Sequence, residues 1–92
     1  MTYALRYHPR VADEDTKRIS ASVLARIGRA IEARLATAPD RFGEPLAGSL
    51  RGYRKLRVGD YRVVFEVVGR SVRILAIAHR RDVYERAARR LG

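Results

Sequence analysis

No cysteine occurs among the 92 residues, which removes disulfides, thiolate nucleophiles and cysteine metal sites. Histidine is scarce: His8 and His79 stand far apart without a metal-ligand spacing, so neither a metal centre nor any other cofactor is expected. Long apolar runs are missing. The opening Met1-Thr2-Tyr3-Ala4-Leu5-Arg6 lacks the apolar stretch of a signal peptide and no segment could span a bilayer, so a cytoplasmic protein without a membrane role is expected. Neither a phosphate-binding glycine loop nor a Ser-His-Asp set can be read. Lysine is nearly absent. Lys17 and Lys55 are the only two, and every other basic residue apart from the histidines is arginine.

Positive charge is what the chain has in excess. Lys and Arg number 20 against 10 Asp and Glu, a net charge of +10, which points towards a polyanionic partner: RNA, DNA, an acidic protein or a membrane surface. A hydrophobic share of 47% and a charged share of 33% suit one soluble globular domain over residues 1–92.

The chain is organised around Gly52 to Val68. Tyr53–Val58 and Tyr61–Val68 are rich in β-branched and aromatic residues, and Gly59-Asp60 between them is a tight hairpin signal. A two-residue turn sets Val58 opposite Tyr61, Arg57 opposite Arg62, Lys55 opposite Val64 and Tyr53 opposite Glu66. Alternation then sorts the side chains. One face carries Leu56, Val58, Tyr61, Val63, Phe65 and Val67 with Arg54, and is a core. The other gathers Tyr53, Lys55, Arg57, Arg62 and Glu66 around Val64. Like charges directly opposite one another destabilise a sheet, so this cationic face points to an anion. Lysine, unlike arginine, can give up its proton when its surroundings disfavour the charge, which singles out Lys55.

The remainder supplies the frame. Thr2–His8 reads as a strand and Pro9 as the start of a weak helix, with Asp13, Glu14 and Asp15 near its N-terminus. A second helix begins at Ser20 or Ser22; Val23, Leu24, Ile27, Ala30, Ile31, Leu35 and Ala38 form its apolar stripe, and Pro39 stops it. Asp40–Arg51 is a loop pinned by Leu46 and Leu50. After a second turn at Gly69-Arg70, Ser71–Ala78 reads as a strand. The same two-residue register places Arg73, Leu75, Ile77 and His79 on the Lys55 face, with His79 opposite Asp60. Asp82–Leu91 closes the chain as a short helix packing through Val83, Ala87 and Leu91, its Arg86, Arg89 and Arg90 suited to a helix C-terminus. The order β-α-α-β-β-β-α describes an α+β domain. Its mainly antiparallel four-stranded sheet carries two helices on one face, and the charged face is open or partly lined by the last helix.

That face suits cleavage of RNA, which carries its own nucleophile in the 2′-hydroxyl. The protein must take that proton, stabilise charge on the phosphate and protonate the leaving 5′-oxygen. Arginines hold phosphate bidentately. Lys55, crowded by Arg57 and Arg62, fits a general base or a fixed charge, and Tyr84, Tyr53 and Tyr61 are candidates for stacking on bases.

The run GEPLAGSLRGYRKLRVGDYRVVFEV followed by AIAHRRDVY resembles the RelE branch of the RelE/ParE toxin superfamily over nearly the whole chain. The resemblance implies the toxin of a type II toxin–antitoxin pair, an endoribonuclease cutting messenger RNA in the ribosomal A site. It also implies neutralisation by a small antitoxin in a hetero-oligomer, and the +10 charge points to an acidic segment in that antitoxin. It places Lys55 and Arg57 in the family's basic strand, Arg62 at its phosphate-binding arginine, Arg80 (with Arg81 competing) at its later catalytic arginine, and Tyr84 at its stacking tyrosine. Tyr53, Arg73, His79, Arg81 and Arg86 are then expected to contact RNA around that centre. Tyr53 stands where a second basic residue is often found; His79 either compensates or is paired with Asp60. ParE-type relatives share the fold but bind DNA gyrase without cutting RNA.

Overall fold

The computed structural model describes residues 2–91. Strands β1 (Ala4–Tyr7), β2 (Glu44–Pro45), β3 (Arg54–Val58), β4 (Tyr61–Val68) and β5 (Ser71–His79) form one sheet in the order β1-β5-β4-β3-β2. Only the β1–β5 pair is parallel. The helices are α1 (Ala21–Ala30), α2 (Pro39–Phe42) and α3 (Val83–Arg89). A π-helical turn at Val11–Asp15 runs into a 3-10 turn at Thr16–Arg18, and a second π-helical turn, Ile31–Leu35, extends α1. No helix among the described residues is long and apolar enough to cross a membrane.

Both hairpins turn on glycine. Gly59 (φ +60°) and Gly69 (φ +59°) take the first central position of their turns, where an L side chain would be strained. The β3–β4 register is the one expected, with Lys55 beside Val64, Arg57 beside Arg62 and Val58 beside Tyr61.

The apolar stripe of α1 does what its spacing dictates. Ile27, Ile31 and Leu35, four residues apart, are fully buried against Leu56, Val58, Val63, Phe65 and Ile77 of the sheet. Each such side chain contributes on the order of 1.5–3 kcal/mol through burial. At the end of the stripe the Ala36 N–H donates to the Ile31 carbonyl, a π-type bond of 3.1 Å. Pro39 ends this helix as expected and also opens α2, at the first helical position where its missing N–H costs nothing.

Two features depart from the sequence reading, and a third decides between alternatives it left open. Within the Asp40–Arg51 loop, Glu44 and Pro45 pair with Lys55 and Arg54 as a fifth strand; proline is tolerated there because the strand is an edge. Leu50 is buried and Leu46 half-buried, so the loop is pinned where expected. Second, β5 carries a bulge. Phe65 pairs with Ile74 but Val64 pairs with Ala76, leaving Leu75 as the extra residue. An extra residue exchanges the faces beyond it. Ile77 and His79 therefore pair with Val63 and Tyr61 on the α1 side, and Ala76 and Ala78 take the places beside Val64 and Arg62. His79 is thus not opposite Asp60. Third, of the two arrangements expected for the charged face, open or partly lined by the last helix, the second is found. Helix α3 lies on it, and Val83 and Ala87 form a second core with Leu50, Val64, Leu75, Ala76 and Ala78. The two alanines leave room for the helix to sit close.

Candidate active site beneath helix α3

With α3 on the sheet, the basic residues stand around the rim of the second core. Lys55, half-buried on β3, points its ammonium at the ring of Tyr84 on α3, with Nζ 5.8 Å from the ring centre. This is cation–π range. Tyr84 is half-buried and packs against the second core, so its ring is more anchored than a purely solvent-facing position implies.

Two residue pairs along the same strands, on the same face, Arg57 faces Arg62. Arg57 is exposed, but Arg62 is only 9% exposed, and its Nη1 donates to the Gly59 carbonyl (3.0 Å) and the Tyr61 carbonyl (2.9 Å) of the turn. Those two bonds fix one arm of the guanidinium. No carboxylate pairs with it among the described residues, so a nearly buried positive charge is balanced by carbonyl dipoles alone. Desolvated cations held this way favour an incoming anion.

The chain leaves β5 beside this pair. The Arg80 N–H donates to the Asp60 carbonyl at 2.8 Å, which ties the Arg80-Arg81 corner to the β3–β4 turn, and both side chains are exposed. His79 is not in the cluster. Its ring stands edge-on to Tyr61, centroids 5.8 Å apart, and its Nδ1 accepts the Arg81 N–H at 3.2 Å. It therefore orders the corner that carries the two arginines.

Tyr53 lies at the other end of the second core. Its hydroxyl donates to Glu66 Oε2 at 3.2 Å; burial, and then the negative charge of Glu66, raise its pKa above the usual tyrosine value. At neutral pH it is a fixed donor and no substitute for a basic residue. Arg73, opposite Glu66 in the register, is exposed and 3.8 Å from that carboxylate.

Arg86 is elsewhere. It was expected to meet RNA, yet it is turned inward onto Asp15, with Nη1 3.1 Å from Oδ1. Asp15 is fully buried and also accepts from Arg90 Nη1 and Nη2 (both 2.8 Å) and from the Ile77 N–H (2.8 Å). Arg90 in turn bonds Glu14 at 3.1 Å and the Leu75 carbonyl at 3.0 Å. This network locks the helix that carries Tyr84 to the sheet and to the first helical turns. Its signal lay in the sequence: Val11, Asp15 and Ile19 are spaced four apart, which sets an acid in line with two core residues.

The geometry therefore brings Lys55, Tyr84, Arg57 and Arg62 together, with Arg80 and Arg81 at the edge, and leaves Arg86 and His79 outside. Among the described residues no three of His, Asp and Glu gather where they could hold a metal ion.

Comparison with known proteins gives consistent relatives. Residues 5–84 match the family model of the ParE toxin of the type II toxin–antitoxin system parDE. The toxin RelG of Mycobacterium tuberculosis is 31% identical over 88 residues, spanning 94% of this chain and all of that protein. Among solved structures, the toxin–antitoxin complex RelBE2 of M. tuberculosis superposes with a TM-score of 0.80 at 27% identity, covering 87% of this chain and all of the matched one. The free E. coli toxin RelE, in a double-arginine mutant, gives 0.77 at 18% identity over all of both chains, a likeness of fold.

Proposed function

The chain belongs to the RelE/ParE superfamily of type II toxins, and from that premise we propose that it is an endoribonuclease cutting messenger RNA in the ribosomal A site. The observation that carries this reading is the Lys55–Tyr84 contact beside the Arg57–Arg62 pair. A base or proton-organising group, a stacking ring and a phosphate-binding fork are the three parts that RNA cleavage needs.

In this reading an unpaired base stacks on Tyr84, and the adjoining phosphate sits against Arg62 and Arg57. The 2′-oxygen forms a bond to phosphorus as its proton passes to the neutral amine of Lys55, or to water where Lys55 acts only as a fixed charge. The bond from phosphorus to the 5′-oxygen breaks, and that oxygen takes up a proton from the protonated Lys55 or from water. The products are a 2′,3′-cyclic phosphate and a 5′-hydroxyl. Arg80 and Arg81 stand at the edge to stabilise the developing negative charge. The cognate partner is a small antitoxin whose acidic segment neutralises the basic rim, giving a toxin–antitoxin hetero-oligomer; this is supported by the RelBE2 complex being of that kind.

The match to a ParE family model favours one rival, a toxin that inhibits DNA gyrase without cutting RNA. One experiment decides between them. Purified toxin is incubated with ribosomes programmed with messenger RNA, the RNA ends are analysed, and gyrase supercoiling is assayed in parallel. Cyclic phosphate ends with unaffected gyrase are expected; intact RNA with inhibited supercoiling would establish the rival.

A further inference from the structure

A groove of about 450 Å³ opens on the same face of the sheet, on the side of Tyr53 away from the main cluster, and Arg6, His8, Tyr53, Glu66 and Arg73 line it. Its floor crosses three strands. Arg6 on β1 is in register with Arg73 on β5, and Arg73 with Glu66 on β4. Two arginines are thus direct cross-strand neighbours, an arrangement that costs stability when nothing lies between them. Glu66 offsets only part of that charge: it stands 3.8 Å from Arg73 and also accepts the Tyr53 hydroxyl. His8 adds a polar edge. Its Nδ1 accepts the Arg10 N–H at 3.1 Å, so in the neutral ring Nε2 carries the proton and is a donor.

Tyr53 belongs to both places. It lines this groove and packs with Tyr84 on the second core, so the groove continues the site that holds Lys55. We propose that the groove is a second subsite for single-stranded RNA, which takes the phosphate of a nucleotide flanking the cleaved one on Arg6, Arg73 and His8, with Tyr53 as the ring against which that nucleotide rests. The inference rests on the endoribonuclease reading. It gives the RNA a path from Tyr84 across Tyr53 to the β1 edge, a run of aromatic and arginine side chains of the kind that tracks a single strand.

The test uses the purified full chain and a fluorescent single-stranded RNA made uncleavable by 2′-O-methylation, with binding followed by anisotropy across a range of salt. Arg6→Ala and Arg73→Ala alter exposed side chains, and thermal melting checks that both variants fold. Each should weaken binding roughly 5- to 10-fold and reduce the slope of log affinity against log salt by about 0.7, the value of one phosphate contact. Arg73→Lys should restore the slope. Arg29→Ala, an exposed change on α1, serves as the control and should leave both unchanged. With messenger RNA on programmed ribosomes, Arg73→Ala should raise KM without lowering kcat. Unchanged salt slopes in both variants, with wild-type protein that binds and cleaves, would overturn the subsite alone. Unchanged slopes with lost affinity for the acidic antitoxin would assign the groove to that partner instead. Folded wild-type protein that neither binds the free strand nor cuts messenger RNA on programmed ribosomes would overturn the subsite and the endoribonuclease reading together.

Discussion

The Lys55 ammonium stands 5.8 Å from the centre of the Tyr84 ring, although the two residues come from strand β3 and helix α3 at opposite ends of the fold's second half. A cation against an aromatic face is held in place, yet among the described residues no hydrogen bond is spent on it. Its three N–H donors, or its lone pair once deprotonated, remain for a substrate. Lys55→Ala should therefore abolish RNA cleavage while leaving the melting temperature nearly unchanged. Lys55→Arg separates the two roles open to the lysine. If it is the base, the arginine variant stays inactive, because arginine keeps its proton. Full cleavage by Lys55→Arg would make it a fixed charge.

The same helix is held by a carboxylate with no exposed surface. Removing Asp15 leaves Arg86 and Arg90 without their buried partner and the Ile77 N–H without an acceptor. Loss of one side of a buried ion pair costs about 3–5 kcal/mol. Asp15→Ala should lower stability by about that amount in chemical denaturation. Asp15→Asn should lower it less, since an amide oxygen can still accept from Ile77. A neutral effect of Asp15→Ala would mean that α3 is anchored by Val83 and Ala87 alone.

Two glycines predict opposite signs. A Cβ at Gly43 would lie 2.4 Å from the tip of the Phe65 ring, and Phe65 is fully buried, so neither can yield. Gly43→Ala should cost about 1–3 kcal/mol by overpacking. Gly28, inside α1, has nothing within 4 Å of its added Cβ. There alanine should stabilise by about 0.5–1 kcal/mol, because glycine loses more freedom on entering a helix. Thermal melts of the two single variants check both signs.

Acid should reveal Glu14. A hydrogen bond from Arg90 is the main cause holding its carboxyl below the ordinary 4.5, with Arg10 assisting. A depressed folded-state pKa gives stability that is fully present above the unfolded value and is lost as pH falls through the folded one. Wild type and Glu14→Gln should therefore differ most in stability near neutral pH and converge below the usual carboxylate range. Denaturant midpoints measured from neutral pH downward check this; a gap that stayed constant into acid would contradict it.

Much of this was legible in local chemistry. The Gly59-Asp60 turn fixed the pairing of Arg57 with Arg62, and the stripe through Ile27, Ile31 and Leu35 fixed which face became the core. What escaped were features set by tertiary context. The bulge at Leu75 inserts one residue into an otherwise regular alternating strand, so no periodicity announces it, and it carried His79 to the other face. The packing of α3 through Val83 and Ala87 was legible, but its close seat on Ala76 and Ala78 was not, since their small size reads as neutral until a helix is laid on them. Arg86 looked like one more solvent-facing arginine because its partner, Asp15, lies 71 positions away in the chain.

Tyr84 supplies the sharpest division between the two toxin mechanisms. Its ring already contacts Lys55 and packs on the second core, so its face is pre-set before any RNA arrives. A base stacking on it gains about 1–3 kcal/mol. If that contact aligns the 2′-hydroxyl with the phosphate, its loss should reduce turnover by more than it weakens binding, because alignment acts on the transition state. Tyr84→Ala should therefore fold, still bind antitoxin, and cut RNA far more slowly, with a larger fall in kcat than rise in KM. Tyr84→Phe keeps the ring and the contact with Lys55. It should retain substantial activity if stacking is the role of Tyr84, and lose it if the hydroxyl moves a proton. The ends of the wild-type product complete the argument: attack by the 2′-oxygen leaves a 2′,3′-cyclic phosphate on the upstream fragment. A 3′-hydroxyl there, or undiminished toxicity of Tyr84→Ala in cells, would remove Tyr84 from the chemistry and shift the weight to gyrase inhibition.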